Sequence, residues 1–177
     1  HGVSPFDIEE GANVSDKLNF SAVAGNTLCE LAEKDDKICA VTAAMTEGTG
    51  LSKFAEKYPE RFFDVGIAEQ HAVTFSAALA KEGLKPFFAV YSSFLQRGFD
   101  QVIHDAAIGN FPLRLLIDRA GIVGEDGETH QGLFDVSYLS SIPNISIYSP
   151  SQYDELCYRI KYVAECDGIS AVRYPRG

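Results

Sequence analysis

The sequence has no tryptophan and one methionine, and its few cysteines lack the spacing of a metal site or a disulfide framework. The four cysteines form no CxxC pair and no Cys/His ligand pattern; they are Cys29, Cys39, Cys157 and Cys166. We therefore interpret them as reduced thiols, in the core or at the surface, of a protein from a reducing compartment such as the cytosol.

Long apolar runs and an excess of positive charge are missing too. No apolar run approaches the roughly 18 residues of a membrane-spanning helix, and no signal peptide is recognisable. Lys and Arg number 15 against 25 Asp and Glu, which gives a net charge of −10. That balance argues against a nucleic-acid surface. The composition therefore predicts neither a membrane nor a nucleic-acid partner.

Several common motifs are absent as well: a Walker-type phosphate loop, GxGxxG, His-Glu-x-x-His and a convincing Ser/His/Asp order. What is present is a globular composition, 46% hydrophobic and 23% charged over 177 residues, enough for one domain with a substantial core. Residues 1–14 are rich in Gly, Pro and acids, and we expect an interdomain linker there, followed by a domain over 15–177. We also expect both ends to be cut from a longer protein.

Six short apolar runs separated by helical segments predict an α/β fold with three layers, a doubly wound and mostly parallel sheet between helices. The predicted strands are 38–41, 61–65, 86–90, 113–117, 145–148 and 169–173. The main predicted helices begin at Ser15 or Asp16, near Ala68, at Ser93 and at Ser149 or Ser151, with shorter ones before Pro59 and over 136–139. Ligands of such folds bind beyond the carboxyl ends of the strands.

The central stretch is Asp64-Val65-Gly66-Ile67-Ala68-Glu69-Gln70-His71. Because residues 72–80 of the following helix carry no charge, we expect that helix to be buried on all sides. Glu69 in its first turn would then place a carboxyl group where there is little water, an environment suited to sharing a proton. The alternative is a glutamate that only complements the helix dipole.

Aromatic and charged residues follow the next two predicted strands. Phe94 lies off the apolar stripe of the predicted helix 93–108, so it either packs against a neighbour or forms a platform for a flat ligand ring. Tyr91 offers a hydroxyl on the same side.

The segment 119–132 is too long and too rich in charge and glycine to be a simple connection. Arg119 suits a phosphate or carboxylate, and His130 suits proton transfer or a hydrogen bond to an alkoxide. Arg173 and Arg176 add cations at the same end of the sheet. The alternative is a solvated loop whose polar residues cap neighbouring helices.

Four stretches together resemble the 1-deoxy-D-xylulose-5-phosphate synthase family of transketolase-like thiamine diphosphate enzymes; they are 64–71, 91–97, 118–132 and 171–177. The run Asp126-Gly127-Glu128-Thr129-His130-Gln131 is of a type shared with transketolases, whereas 118–124 and Tyr174-Pro175-Arg176-Gly177 point to the synthases. The resemblance covers essentially the whole chain. It implies the central, pyrimidine-binding domain alone.

The resemblance implies the following activity for the intact protein. It would be a transferase that condenses pyruvate with glyceraldehyde 3-phosphate, with loss of CO2, for isoprenoid, thiamine and pyridoxal biosynthesis. Its cofactors would be thiamine diphosphate and Mg2+. The metal ligands would lie in a preceding domain that is absent from this chain, so none is expected within the chain itself. A homodimer in the bacterial cytoplasm, or in a plastid, is implied, and the excised domain should be inactive.

The resemblance also implies residue roles. Glu69 would hydrogen-bond the aminopyrimidine and promote its activation, Phe94 would stack on the ring, and Met45 and Ile67 would be apolar neighbours. Arg119 and Arg176 would clamp the substrate phosphate. Polar contacts to the reacting carbonyl and the acceptor hydroxyls would come from Tyr91, Arg97, Asp126 and His130. His130 would also be catalytic. One alternative is a transketolase half or a 2-oxo acid dehydrogenase beta subunit, but the segment 118–132 and the ending 174–177 argue against both. The other alternative is a non-catalytic assembly domain.

Overall fold

The structure, a computed structural model, describes residues 18–177, apart from the side chain of Glu125. Its six strands are β1 (Ile38–Thr42), β2 (Phe62–Asp64), β3 (Lys85–Tyr91), β4 (Arg114–Asp118), β5 (Ile145–Tyr148) and β6 (Ile169–Arg173). They form one sheet in the order β2-β1-β3-β4-β6-β5, and every neighbouring pair is parallel. The predicted fold class is confirmed, and each strand boundary lies within one residue of its prediction.

Helices cover both faces of the sheet. They are α1 (Phe20–Ala32), α2 (Ser52–Lys57), α3 (Glu69–Lys81), α4 (Ser92–Leu95), α5 (Phe99–Gln101), α6 (Asp135–Leu139) and α7 (Tyr153–Val163). One apolar cluster joins α1, α2 and α7 to the sheet, and a second joins α3, α4 and α6 to its other face. All residues of β1 and β4 are buried, as expected for central parallel strands. No helix within residues 18–177 has the length and apolar character needed to cross a bilayer.

The start of α1 differs from its prediction. The described helix begins at Phe20, and the Asn19 side chain caps it by accepting a hydrogen bond from Ala22 N at 2.8 Å. The caps expected at Ser15 or Asp16 and the linker expected over 1–14 lie outside the described residues.

The prediction of one continuous helix over 93–108 is wrong. After α4 the chain forms a 3-10 turn, Gln96–Gly98, and after α5 a π-helical segment, Val102–Ala107. The turn allows Gly98 to lie directly against α3, where an added Cβ would be 2.9 Å from Val73 Cγ2. The break in the regular helix therefore coincides with a close contact between Gly98 and α3, which the hydrophobic pattern does not report.

The prediction that α3 is buried on all sides is also wrong. Its buried residues form one face, Glu69, Ala72, Val73, Ser76, Ala77 and Ala80. Gln70, His71, Thr74 and Ala78 are exposed in this chain. Because small or weakly polar residues cost little at a surface, the absence of charge does not by itself indicate burial.

Candidate functional site

The residues that the sequence singled out follow the carboxyl ends of five strands at one edge of the sheet. Met45 follows β1, Ile67 and Glu69 follow β2, Tyr91, Phe94 and Arg97 lie at the end of β3, Arg119, Asp126 and His130 follow β4, and Arg176 follows β6. This is the edge at which parallel α/β sheets bind ligands.

A cleft of about 270 Å³ lies between the loops after β1 and β2 and the start of α4. It is lined by Ala43, Ala44, Met45, Ile67, Glu69, Phe94 and Arg97. Its walls are mostly apolar, and Glu69 supplies a carboxyl group. Such a lining fits a flat ring that carries a hydrogen-bonding nitrogen.

Glu69 is the first residue of α3 and is only 1% exposed. Its Oε2 lies 3.3 Å from Arg97 Nη1, which comes from the turn after α4. The positive end of the helix dipole and Arg97 therefore both supply charge that balances a buried carboxylate. The role of Glu69 at a ligand ring stays a prediction, which its position in the lining of a cleft favours over a function in the helix dipole alone.

Asp64 joins the two loops that wall this cleft, a function that sequence analysis missed. Its Oδ1 accepts hydrogen bonds from Ala44 N at 2.8 Å and Gly66 N at 3.0 Å, and its Oδ2 accepts one from Thr46 Oγ1 at 3.0 Å. Ala44 has a φ of 59°, a left-handed conformation that costs a non-glycine residue about 1–3 kcal/mol. The signal that could have revealed this turn is an aspartate two residues before a glycine.

Phe94 belongs to an aromatic cluster beside the cleft. Its ring stacks on Tyr91, with centroids 5.7 Å apart, and meets the edge of His130 at 5.1 Å. Burial raises the pKa of Tyr91, so its hydroxyl stays a neutral donor. The ring therefore packs against neighbours, and because it also lines the cleft, its use as a platform for a flat ligand ring stays a prediction.

Arg119 and Arg176 meet at one carboxylate. Asp126 Oδ2 lies 3.3 Å from Arg119 Nε, and Asp126 Oδ1 lies 3.1 Å from Arg176 Nη1. Both arginines line a neighbouring cleft of about 500 Å³. The two arginines that the sequence resemblance predicts to bind phosphate are therefore adjacent, and Asp126 bridges them.

The segment 119–132 is an ordered loop. Gly121 and Gly132 close its base with two backbone hydrogen bonds of 2.8 Å. Across the loop, the Gln131 side chain accepts a hydrogen bond from Val123 N at 3.0 Å and donates one to Gly127 O at 2.8 Å. These contacts hold Asp126 and His130 in place, so a simple solvated loop does not describe the segment.

Arg173 lies at the same end of the sheet but is held by another residue. Its Nε lies 2.8 Å from Oδ2 of Asp135, a fully buried carboxylate at the start of α6, and its Nη1 donates to Ser149 Oγ at 3.2 Å. The prediction that Arg173 lies at the same end of the sheet as Arg176 is confirmed, but its guanidinium pairs with Asp135, whereas that of Arg176 pairs with Asp126.

No group of three or more His, Cys, Asp or Glu side chains within residues 18–177 is arranged to hold a metal ion. The lining of the Glu69 cleft, by contrast, fits a flat ring.

Comparisons with known proteins place these features in context. Residues 16–177 match the family model described as "Transketolase, pyrimidine binding domain". The 1-deoxy-D-xylulose-5-phosphate synthases of Caldanaerobacter subterraneus and Clostridium perfringens are 60% and 57% identical, over all of this chain and 29% of their own length. A solved split-gene transketolase, described as an inactive beta4 tetramer, is 27% identical with a TM-score of 0.79, covering 90% of this chain and 52% of that chain. The chain thus spans less than a third of the length of these two curated relatives.

Proposed function

The chain belongs to the transketolase pyrimidine-binding domain family, and we propose that it is one domain of a longer 1-deoxy-D-xylulose-5-phosphate synthase. The intact protein would condense pyruvate with glyceraldehyde 3-phosphate and release CO2. Its domain over 15–177 would hold the aminopyrimidine end of thiamine diphosphate and part of the substrate site. Identity of 57–60% to synthases over the whole chain supports this activity.

The observation that carries the proposal is the cleft that combines apolar walls with the buried Glu69. Thiamine diphosphate, when bound, supplies the carbon nucleophile and electron sink for decarboxylation. Glu69 would hold a proton at the ring nitrogen, and Arg97 would fix the orientation of that carboxyl group. Phe94 would support the ring face, while Met45 and Ile67 would exclude water.

On the substrate side, Arg119 and Arg176 would bind the phosphate of the acceptor through charge-assisted hydrogen bonds. Their shared contact with Asp126 supports one anion site rather than two separate ones. His130 would donate a hydrogen bond to the acceptor carbonyl oxygen, and Tyr91 and Asp126 would orient its hydroxyl groups. The aromatic packing of His130 supports this role because it fixes the imidazole.

The parts of the longer protein beyond this chain would carry the diphosphate site and the Mg2+ ligands. The intact protein would be a homodimer, to which the exposed α3 residues Gln70, His71, Thr74 and Ala78 would contribute. Since both relatives compared above are bacterial, we favour the cytoplasm over a plastid as its location. The split-gene transketolase is described as inactive, which supports our expectation that this domain alone does not catalyse.

Product analysis of the full-length protein tests the activity. Pyruvate and glyceraldehyde 3-phosphate should yield CO2 and 1-deoxy-D-xylulose 5-phosphate, identified by mass spectrometry. Transfer of a two-carbon unit between ketose and aldose phosphates, without use of pyruvate, would instead indicate a transketolase. Acyl transfer from a 2-oxo acid to a lipoyl group would indicate a dehydrogenase subunit, and no reaction at all would favour an assembly domain.

A further inference from the structure

Arg119 has a left-handed backbone conformation, which its contacts with neighbouring residues stabilise. Its φ is 58°, in the left-handed region that non-glycine residues rarely occupy. Its side chain is 11% exposed, and its guanidinium lies over the Tyr91 ring, 4.2 Å from the centroid. The position of this arginine is therefore determined by its surroundings rather than by its own conformational preference.

Ser21 and Asp118 form a closed triangle of hydrogen bonds with Arg119. Ser21 Oγ donates to Asp118 Oδ2 at 2.6 Å, and Arg119 Nη1 donates to Asp118 Oδ1 at 3.1 Å and to Ser21 Oγ at 3.3 Å. Asp118 Oδ1 also accepts the Arg119 backbone N–H at 2.7 Å. One buried carboxylate thus fixes both the backbone and the side chain of Arg119.

The triangle joins distant parts of the chain. Ser21 lies in the first turn of α1, whereas Asp118 is the last residue of β4. Asp118 is fully buried, and burial raises its pKa although Arg119 and Ser21 act in the opposite direction. A buried carboxylate is costly without partners, so this arrangement stabilises the fold only while Ser21 and Arg119 satisfy it.

Arg114 and Arg119 differ in how many of their guanidinium nitrogens form hydrogen bonds within the fold. Arg114 donates to backbone carbonyls through Nε, Nη1 and Nη2, so all three of its nitrogens are used within the fold. Arg119 uses Nε for Asp126, and Nη1 for Asp118, Ser21 and the carbonyl of Gly48. Among residues 18–177 its Nη2 has no hydrogen-bond partner, and Arg119 lines two polar clefts.

We propose that Ser21 and Asp118 are positioning residues that hold the Arg119 guanidinium ready to bind a phosphate group of the acceptor substrate. The identity of that substrate rests on the proposed function, whereas the positioning of an anion-binding arginine does not. Asp118 is fully buried and would act through Arg119, and Ser21, which also lines both clefts, would act through the same guanidinium.

The full-length protein with Ser21→Ala tests the proposal, and Ser76→Ala is the matched control. Ser76 is a buried serine whose hydroxyl has no hydrogen-bond partner within the described residues. With Ser21→Ala, the KM for glyceraldehyde 3-phosphate should rise roughly tenfold, as expected for one lost hydrogen bond to a charged group. The KM for pyruvate and kcat/KM with unphosphorylated glyceraldehyde should stay within about twofold. Ser21→Thr, which keeps a hydroxyl, should restore most of the loss.

Asp118→Asn should show the same selectivity for the phosphorylated aldehyde with a larger effect. If Asp118→Asn does not fold, Ser21→Ala alone tests the proposal. Equal losses with both aldehydes, or identical behaviour of Ser21→Ala and Ser76→Ala, would overturn the proposal while leaving the synthase activity intact. If the wild type makes no 1-deoxy-D-xylulose 5-phosphate, the proposed function fails but inorganic phosphate still serves as a probe. Weaker phosphate binding by Ser21→Ala than by Ser76→Ala in calorimetry would then support the positioning, and equal or no binding would overturn it.

Discussion

Arg97 Nη1 lies 3.3 Å from Glu69 Oε2, and the two side chains differ greatly in exposure, at 54% and 1%. The ion pair connects the N-terminus of α3 to the turn after α4, across the cleft that Phe94 also lines. Because one partner is buried, the pair fixes the direction of the carboxyl group rather than serving as a surface contact. The chemistry proposed for Glu69 depends on that direction.

We expect Glu69→Gln in the full-length protein to leave the fold intact, since the amide has nearly the same shape. Exchange of the C2 proton of bound thiamine diphosphate, followed by NMR after acid quench, should slow about a hundredfold or more, the usual worth of a positioned proton-sharing group. The control is Glu60→Gln, which changes an exposed carboxylate. Normal exchange in Glu69→Gln would show that this residue does not activate the cofactor.

Replacement of Arg176 by Ala should weaken the phosphorylated acceptor selectively, because a charge-assisted contact to phosphate is lost. The expected loss in kcat/KM with glyceraldehyde 3-phosphate corresponds to about 1.5–3 kcal/mol, and Arg119→Ala should behave alike. Arg159, which stacks on Tyr148 and Tyr158 away from the cleft, provides the control substitution. If unphosphorylated glyceraldehyde suffered equally, neither arginine would be a phosphate ligand.

Arg173→Met should act on stability instead of substrate selectivity, because it leaves the fully buried Asp135 without its partner. Breaking a buried pair in this way typically costs about 3–5 kcal/mol in the free energy of unfolding. Urea unfolding of the 177-residue chain would measure it. Lys57→Met, which removes an exposed ion pair with Glu33, should have little effect. Equal effects of the two variants would contradict the distinction between them.

The sequence predicted the parts of the fold that local pattern controls. Apolar runs such as 38–41 and 169–173 gave strands correctly, because buried parallel strands need continuous apolar side chains. Strand polarity then placed Glu69, Phe94 and Arg119 at one edge without any distance information. The break after Leu95 was not predictable in this way, because the contact of Gly98 with α3 that accompanies it joins separate parts of the chain.

Contacts between residues that are far apart in the chain were not predicted either, because local patterns carry no information about them. Ser21 and Asp118 are separated by 97 residues, and nothing in either local pattern indicates their contact. Arg173 and Arg176 looked equivalent, since both lie at the end of the last strand. Only packing distinguishes them, because Arg173 pairs with Asp135 and Arg176 pairs with Asp126.

Cys39 should be inert in the folded chain. It lies in β1, and burial raises its pKa to about 12, so almost no thiolate forms at about pH 8. Labelling with a thiol reagent at that pH, followed by peptide mass spectrometry, should modify the partly exposed Cys157 and Cys166 first. Unfolding in urea should make all four cysteines react at similar rates. Rapid labelling of Cys39 before unfolding would contradict its burial.

We expect the 177-residue chain by itself to fold without catalysing the reaction. Both apolar clusters are built from residues within 18–177 and cover the two faces of the sheet. A cooperative thermal transition should follow from such a core. Exposed apolar residues, among them Ile67, Ile122 and Phe134, favour self-association, which sedimentation would detect. A gradual, non-cooperative transition would show that the chain needs other parts of the protein to fold.

Cofactor binding by this chain should be negligible even with magnesium present. The Glu69 cleft offers contacts to the pyrimidine end alone, and the described residues provide no metal-binding cluster for the charged end. Most of the affinity should come from the diphosphate and its magnesium. Calorimetry should therefore detect binding by the full-length protein and none by the chain. Addition of the separately produced remainder of the protein should restore some binding to the wild-type chain and less to Glu69→Gln. Tight binding by the chain alone would mean that the cofactor site is not divided between domains.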